Sequence, residues 1–578
     1  MSSKTYNVSS KNRRKRISAV IQGIILLLLV ITLVRIVWIT DRYVPADESE
    51  LTNKKGFVAL SYFGVARNES SKYVGRDTLR QQLSLLKDQG FETISQDQVT
   101  RFLEKGEPLP EKALFLSFED GRNDSSIFAQ PVLEALNYQA TMFTYADKMN
   151  TSDTKFLKPR DLKPMMRSGY WELGSNGYRL TYINTFNDRG ELLGVIPEND
   201  VPDKTDIEYY NHYLMDYLRD EYLISTESKQ EMEARIAKDY TEMKKVYESA
   251  FGFVPKSYAI MHANALYNNM NENVEAVNDK YIRDTFGIHF NRDQKAYNDR
   301  EADPYNLTRI QAIPSWSVNH LLMKLRQDSP YEIDFFEGDS TLASRFKATN
   351  AVLEANKESL IVTTFPGKEG VITLQNEVPL HSTIETRMTG AVMGEQNISL
   401  QDAETGKTYR IALMKNVLTI DEKQSWDTKQ IKQITLPEIK WDGKDFSFNK
   451  ATNYTYEDTQ SGSRIKDGEY PRTLPNDRHV KLSVESKQLS VWVDGKRYVD
   501  IPVEMNDSFY VKLGGRAIQS KSGYQKDEGT IYDASFEGLR IKQGDQIIYD
   551  SAPTRSEQMM TQVKTRWDRT IDFFIETF

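Results

Sequence analysis

Hydrophobic and polar positions follow several distinct patterns along this chain, and each predicts a different kind of element. From Ile17 to Val34 nearly every residue is apolar (ISAVIQGIILLLLVITLV), a run long enough to cross a hydrocarbon core of about 30 Å. From Gly56 onward short apolar runs alternate with helical spacing. Gly56 to Tyr62 reads as a strand, and Arg76 to Gly90 as a helix with Leu79, Leu83 and Leu86 on one face and Gly90 at its end. Phe91 to Ile94 reads as a strand, followed by a helix from Gln96 to Glu104 capped by Ser95. Leu114 to Phe118 reads as a buried strand, 128–136 as a helix and Ala140 to Tyr145 as a strand. This alternation predicts a parallel sheet or barrel. Between Asp206 and Phe251, Tyr210, Tyr213, Leu214, Tyr217 and Leu218 recur at helical spacing and predict an insertion of one or two amphipathic helices.

Near Asp328 the pattern changes to short alternating runs broken by Gly, Asn, Asp and Lys, with Asp494-Gly495 as a direct hairpin signal. Many short strands predict an all-β sandwich. At the end, Met559, Val563, Trp567, Ile571 and Phe574 share one side of a predicted helix that packs on a domain. The segments are therefore 1–16, basic; 17–38, membrane helix; 39–55, linker; 56–328, barrel with helical insertion; 329–552, sandwich; and 553–578, amphipathic helix.

At 578 residues the chain holds two or three domains. A formal net charge of -8 argues against nucleic acid as a partner. There is no cysteine, which removes disulfides, thiolate metal sites and thiol nucleophiles together and fits a protein exported by a bacterium. Lys11, Arg13, Arg14, Lys15 and Arg16 precede the apolar run, so the positive-inside rule keeps the amino terminus in the cytoplasm and sends the main body outside. A cleaved signal peptide is the alternative. The run is long for one, and Val44-Pro45-Ala46 is a poor cleavage site.

Chemistry-bearing motifs cluster in the first folded region. In order they are Val58-Ala59-Leu60-Ser61-Tyr62, LRQQLSLLKDQGFETIS, LPEKALFLSFEDG, PVLEALNYQATMF and WELGSNGY, with GFVPKSYAI and DPYNLTRIQ further on. Together they resemble the NodB-type polysaccharide deacetylases from about Phe57 to Ile313. The resemblance implies a distorted (β/α) barrel with its site at the carboxyl ends of the strands. It also implies metal-dependent removal of acetyl groups from N-acetylated sugars, with a catalytic base, an aspartate ligand and a His-x-x-x-His pair. Here Glu119 stands at the base position and Asp120 at the ligand position, while Asn176 and Leu180 stand where the two histidines are expected. A zinc-type site needs about three good protein ligands, so no metal is expected, or Asp120 alone as a ligand. Of the six histidines (His212, His262, His289, His320, His381, His479), His262 is the candidate rescuer, after a barrel strand. The candidate catalytic group is thus Glu119, Asp120 and His262, and Asn176, Tyr178, Asn264 and Arg309 are candidate substrate contacts. Asp124 and Glu172 are nearby carboxylates read as solvated or bound to backbone.

LSVWVDGKRYVDIPV, FYVKLGGRA and GTIYDASFEGLRI resemble laminin-G or concanavalin-type sandwiches, many of which bind glycans. Trp492, Tyr498 and Tyr532 are candidates for sugar stacking there. Three functions stay open: a deacetylase with an altered site, using a divalent zinc-type metal if the site is rescued; a non-catalytic glycan-binding or scaffold part of an exopolysaccharide synthesis complex; and a metal-independent glycan hydrolase. Each places an extracellular or cell-wall polysaccharide as partner and the protein as single-pass in the cell membrane. Protease added to intact, wall-stripped cells is expected to degrade everything after Arg35; full protection of that region would overturn the orientation.

Overall fold

The structure, a computed structural model, describes residues 22–23, 26, 42–187, 189–200, 207–260, 270–291, 295–392, 394–425, 427–440, 474–518 and 530–551. Of the expected membrane segment only Gln22, Gly23 and Leu26 are described, in helix. The expected tail helix at 553–578 lies outside the described residues, as do His262 and Asn264. Among the described residues no helix is long and apolar enough to cross a membrane.

Parallel strands and helices alternate first: β1 (Gly56–Tyr62), α1 (Arg76–Asp88), β2 (Phe91–Thr93), α2 (Gln96–Lys105), β3 (Lys112–Phe118), α3 (Asn123–Leu136), β4 (Ala140–Thr144), α4 (Pro159–Ser168) and β5 (Trp171–Ser175). Each boundary has a local cause. Ser95 and Gln98 form a capping box on α2, and Gly106 ends that helix at φ 71°. α1 buries Leu79, Leu83 and Leu86, the face read from their spacing. An antiparallel three-stranded sheet follows, β6 (Thr181–Asn187), β7 (Leu192–Pro197) and β8 (Ile207–His212), then α5 (Lys229–Phe251), β9 (Ser257–Ala259), α6 (Glu272–Thr285), β10 (Ile288–Asn291), β11 (Leu307–Thr308), β12 (Ile310–Ala312) and α7 (Val318–Asp328).

The large sheet runs β1-β3-β4-β5-β9-β10-β11, and β12 pairs parallel with β1 (Leu60 opposite Ile310), so the ends meet as a barrel. Arg309 sits between β11 and β12, at the closure.

The insertion differs from its expected form. Residues 207–212 are a strand, and helix occupies only Lys229–Phe251. The aromatic spacing read as helical runs from the strand, where the Tyr210 ring packs edge-on against Tyr182 at 4.9 Å between centroids, into turn and irregular chain that hold Tyr213, Leu214, Tyr217 and Leu218. His212 therefore ends a strand and lies on no helix. The spacer at 39–55 is also docked along its described part: Tyr43 N donates to Ser168 O at 3.1 Å, and Asn53 bonds Gly56, Glu111 and Tyr331.

Ile333 is buried in the barrel's core and Tyr331, Phe335 and Phe336 pack against that core, so 329–336 belongs with the barrel rather than with the sandwich. Beyond it, among the described residues, two eight-stranded antiparallel sheets face each other over a separate core. The Asp494-Gly495 turn joins strands Gln488–Val493 and Lys496–Pro502 with φ 51° and 77°, the positive pair a tight hairpin requires. Tyr532 is buried and donates its hydroxyl to Ala391 O at 2.7 Å, which removes it from sugar stacking. Trp492 and Tyr498 are half-buried, with Arg497 and Lys496 over their respective rings.

The two parts meet at Asp533. Its carboxylate accepts from Ser317 N and Ser317 Oγ, both at 2.9 Å, from Thr363 Oγ1 at 2.6 Å and from His320 Nδ1 at 3.0 Å. Beside it Glu354 is buried, with one carboxyl oxygen unpartnered. Burial first and Asp533 second push Glu354 up to about 7 against a hydrogen bond from Gln81. The protonated form suits the fold, so this contribution is full below the ordinary value of 4.5 and lost as pH rises through about 7. Urea denaturation across that window is expected to show a falling slope that Glu354→Gln flattens; an unchanged slope in the variant would refute the assignment.

Candidate functional site

The carboxyl ends of β1, β3, β5 and β9 bring the motif residues together. After Phe118 the chain turns through Glu119, whose amide donates to Tyr62 O at 3.0 Å. Asp120 and Gly121 then take positive φ, 66° and 63°. A side chain on Gly121 would also strike Thr144 at 2.8 Å, so glycine is required there.

Glu119 is almost fully buried. Its Oε1 accepts from Ser61 Oγ at 2.8 Å and from Arg309 Nε at 2.9 Å. Arg309 is equally buried and donates Nη1 to Phe290 O at 2.9 Å. Arg309, expected to meet substrate, instead holds the carboxylate at the base position.

Asn176 is also a crosslink. Its Oδ1 accepts from Asp120 N at 3.1 Å and its Nδ2 donates to Ala259 O at 2.9 Å. Both ends of the amide are engaged with backbone, and the residue is 1% exposed. Leu180 is buried in an apolar cluster with Tyr145, Tyr182, Ile207 and Tyr210. Of the remaining candidates, Tyr178 is half-buried with Arg179 over its ring.

Asp120 forms the floor. Its Oδ1 is buried without a partner, and so is the Tyr145 hydroxyl. Burial first, then Glu198 and Glu119, push the Asp120 carboxyl well above its ordinary range, with Arg122 and Lys72 opposing. Burial first, then Asp120 and Tyr182, raise the Tyr145 hydroxyl, with Glu198 and Glu119 adding to them. Asp124 pairs with Arg122 at 3.0 Å. Glu172 accepts from Gln96 N at 2.8 Å and is pushed up to about 7, chiefly by burial.

His212 and His289 are buried and pushed down to about 4, again chiefly by burial. His289 Nδ1 donates to Tyr305 O at 2.8 Å. Among the described residues no group of three or more His, Cys, Asp or Glu side chains could hold a metal ion. An amide engaged at both ends and a leucine among tyrosines do not fit the zinc-type ligand set.

Sequence reading missed Ser61, Tyr145 and Glu198. Ser61 did carry a signal, a polar residue inside a buried strand run. Tyr145 carried one too, since it ends a strand run at the carboxyl end of the barrel, whereas Glu198 had none, because it reaches Asp120 from the small antiparallel sheet.

Residues 106–269 match the polysaccharide deacetylase family model. The chain is 28% identical over 172 residues to the poly-beta-1,6-N-acetyl-D-glucosamine N-deacetylase of Escherichia coli K12, covering 26% of each chain. It thus spans about a quarter of the length of the curated relatives it matches. Among solved structures, a de-N-acetylase from Aggregatibacter actinomycetemcomitans aligns with 46% of this chain and 98% of its own, at 18% identity and a TM-score of 0.36. Carbohydrate-binding module CBM66 from Bacillus subtilis aligns with 34% of this chain and 95% of its own, at 8% identity and a TM-score of 0.22. The resemblance of the barrel to NodB-type deacetylases thus has a family match beside its motifs.

The Asn176 clip makes a stability prediction. Asn176→Ala orphans the Asp120 amide and the Ala259 carbonyl, and is expected to cost about 2–4 kcal/mol in urea denaturation. A cost under about 0.5 kcal/mol, the range of a neutral surface change, would show the clip to be dispensable.

Proposed function

We propose that this chain is a deacetylase-like polysaccharide-binding protein of the bacterial cell surface whose barrel holds glycan without metal-dependent turnover. Its partner is an extracellular or cell-wall polysaccharide containing amino sugars. In this reading 17–38 anchors it in the membrane, with the barrel and sandwich outside, and it serves an exopolysaccharide synthesis complex. The relatives' printed activity on poly-beta-1,6-N-acetyl-D-glucosamine supports this ligand class.

One observation carries the reading: both ends of the Asn176 amide are bonded to backbone while Leu180 is packed among tyrosines. Glu119 and Asp120 occupy the base and ligand positions, but two of the three expected ligands have other structural work. A zinc-type ion, were one bound, would depend on Asp120 and on a donor outside the described residues such as His262. A second reading, metal-independent hydrolysis, has one observation in its favour. Arg309 pairs with Glu119 while burial raises Asp120, an asymmetry that suits an acid and a base.

The test uses the protein from Arg42 onward with N-acetylglucosamine oligomers. Expected are sub-stoichiometric zinc, cobalt and nickel, negligible acetate and no new reducing ends, with measurable oligomer binding. Acetate release that a chelator abolishes and that requires Asp120 would overturn the reading. New reducing ends without acetate would select the hydrolase.

A further inference from the structure

On the rim of the barrel, beside the Asp120 floor, lies an aromatic pair that the motif residues do not include. Phe63 and Tyr73 are near-parallel, with ring centroids 6.0 Å apart and planes at 10°. Both are half-buried, so each ring keeps an exposed part. They stand on the loop between β1 and α1, at the carboxyl end of the barrel where the site lies.

This loop is built to hold the rings still. Tyr73 N donates to Ser70 Oγ at 2.9 Å and Ser70 N donates to Tyr73 O at 3.1 Å. Val74 N donates to Gly64 O at 3.1 Å, and Val65 and Val74 pair in a short parallel bridge. Gly64 lets the ring lie against the chain, since a side chain there would meet Tyr73 at 2.5 Å. The Arg122 guanidinium lies 4.4 Å from the Tyr73 ring centroid and is itself fixed by Asp124. Arg122 lies two residues after Asp120, and Tyr62, next to Phe63, accepts from Glu119 N at 3.0 Å, which sets both rings beside the floor.

The surroundings select the occupant. Two rings are too little apolar area for a protein interface, and two cations, Arg122 at 4.4 Å and Lys72 at 5.5 Å, already lie by the Tyr73 ring. A flat apolar surface edged by hydrogen-bonding groups suits a pyranose ring, which has a face of C–H bonds and a rim of hydroxyls. The negative π-face attracts those C–H groups. We infer that Phe63 and Tyr73 form a stacking subsite for a pyranose unit of the polysaccharide, next to the unit that lies over Asp120. This rests on the glycan-binding reading and adds the residues that carry the affinity.

The test titrates β-1,6-linked N-acetylglucosamine tetramer into the protein from Arg42 onward, by calorimetry and by proton NMR of the sugar. Tyr73→Ser and Phe63→Ser are each expected to weaken binding about tenfold. Tyr73→Phe keeps the ring and is expected to keep the affinity. In the wild type, sugar C–H resonances should shift upfield through the aromatic ring current, a signature that merely structural residues would not produce. That wild-type readout decides the matter even if a serine variant fails to fold. Tetramer binding with no upfield shift, or with unchanged affinity in folded Tyr73→Ser, overturns the subsite and leaves the glycan-binding reading standing. No binding by the wild type overturns both.

Discussion

The ion pair between Glu119 and Arg309 is the constraint on which the site depends. Arg309 occupies the gap between the two short strands that close the barrel, and its guanidinium reaches Glu119 after β3 and the Phe290 carbonyl on β10. Ser61 on β1 donates to the same carboxylate oxygen. One buried pair therefore joins the first strand, its neighbour and the closing seam. Removing either partner would leave a charge without compensation in the interior, a cost of about 3–5 kcal/mol. The group at the base position is thus inseparable from barrel closure, and its preservation does not by itself argue for turnover.

A second crosslink of the same kind sits beside it. The amide of Asn176, which the motif resemblance aligns with a histidine, donates from one atom and accepts at the other. It thereby satisfies a donor after β3 and an acceptor on β9 together. A neutral histidine also has one donor and one acceptor, but on a differently shaped ring. Leu180 completes the change by filling the second position with apolar volume against Tyr145 and Tyr182. What remains polar is the unpartnered pair of Asp120 Oδ1 and the Tyr145 hydroxyl, buried groups that favour an occupant able to hydrogen-bond.

The barrel was legible because its strands are continuous apolar runs and its helices carry spaced leucines, with Ser95 and Gln98 marking a helix start. The motif positions were legible for the same reason: Glu119, Asp120 and Asn176 follow directly on buried strands. Residues 207–218 misled, since tyrosines three and four apart fit a helix face equally well; pairing with β6 makes 207–212 a strand, and 213–218 is turn and irregular chain. Arg309 misled differently. Sequence shows that an arginine is present, but its burial beneath Glu119 follows from barrel closure, a contact 190 residues apart. Tyr532 shows the limit for single aromatics: whether one stacks on sugar or fills a core depends on the sheet face it occupies, and here that face is the core.

The sandwich is tied to the barrel through the helix that ends the barrel. Ser317 caps α7 by accepting from His320 N at 3.0 Å, and the same hydroxyl donates to Asp533. His320 stacks on Trp316 at 4.5 Å and presents Nδ1 to the other oxygen of Asp533. Burial would raise the Asp533 carboxyl, but His320 and the surrounding donors outweigh it and hold the group below its ordinary value. An anion at the start of α7 also complements the partial positive charge of that helix end. The cap, the helix dipole and the domain junction are therefore one arrangement. Separating the parts would deprive α7 of its anion and leave Asp533 without His320 and both Ser317 donors, its contacts from the barrel side. The junction thus stabilises both parts at once, the start of α7 on one side and the Asp533 carboxylate on the other.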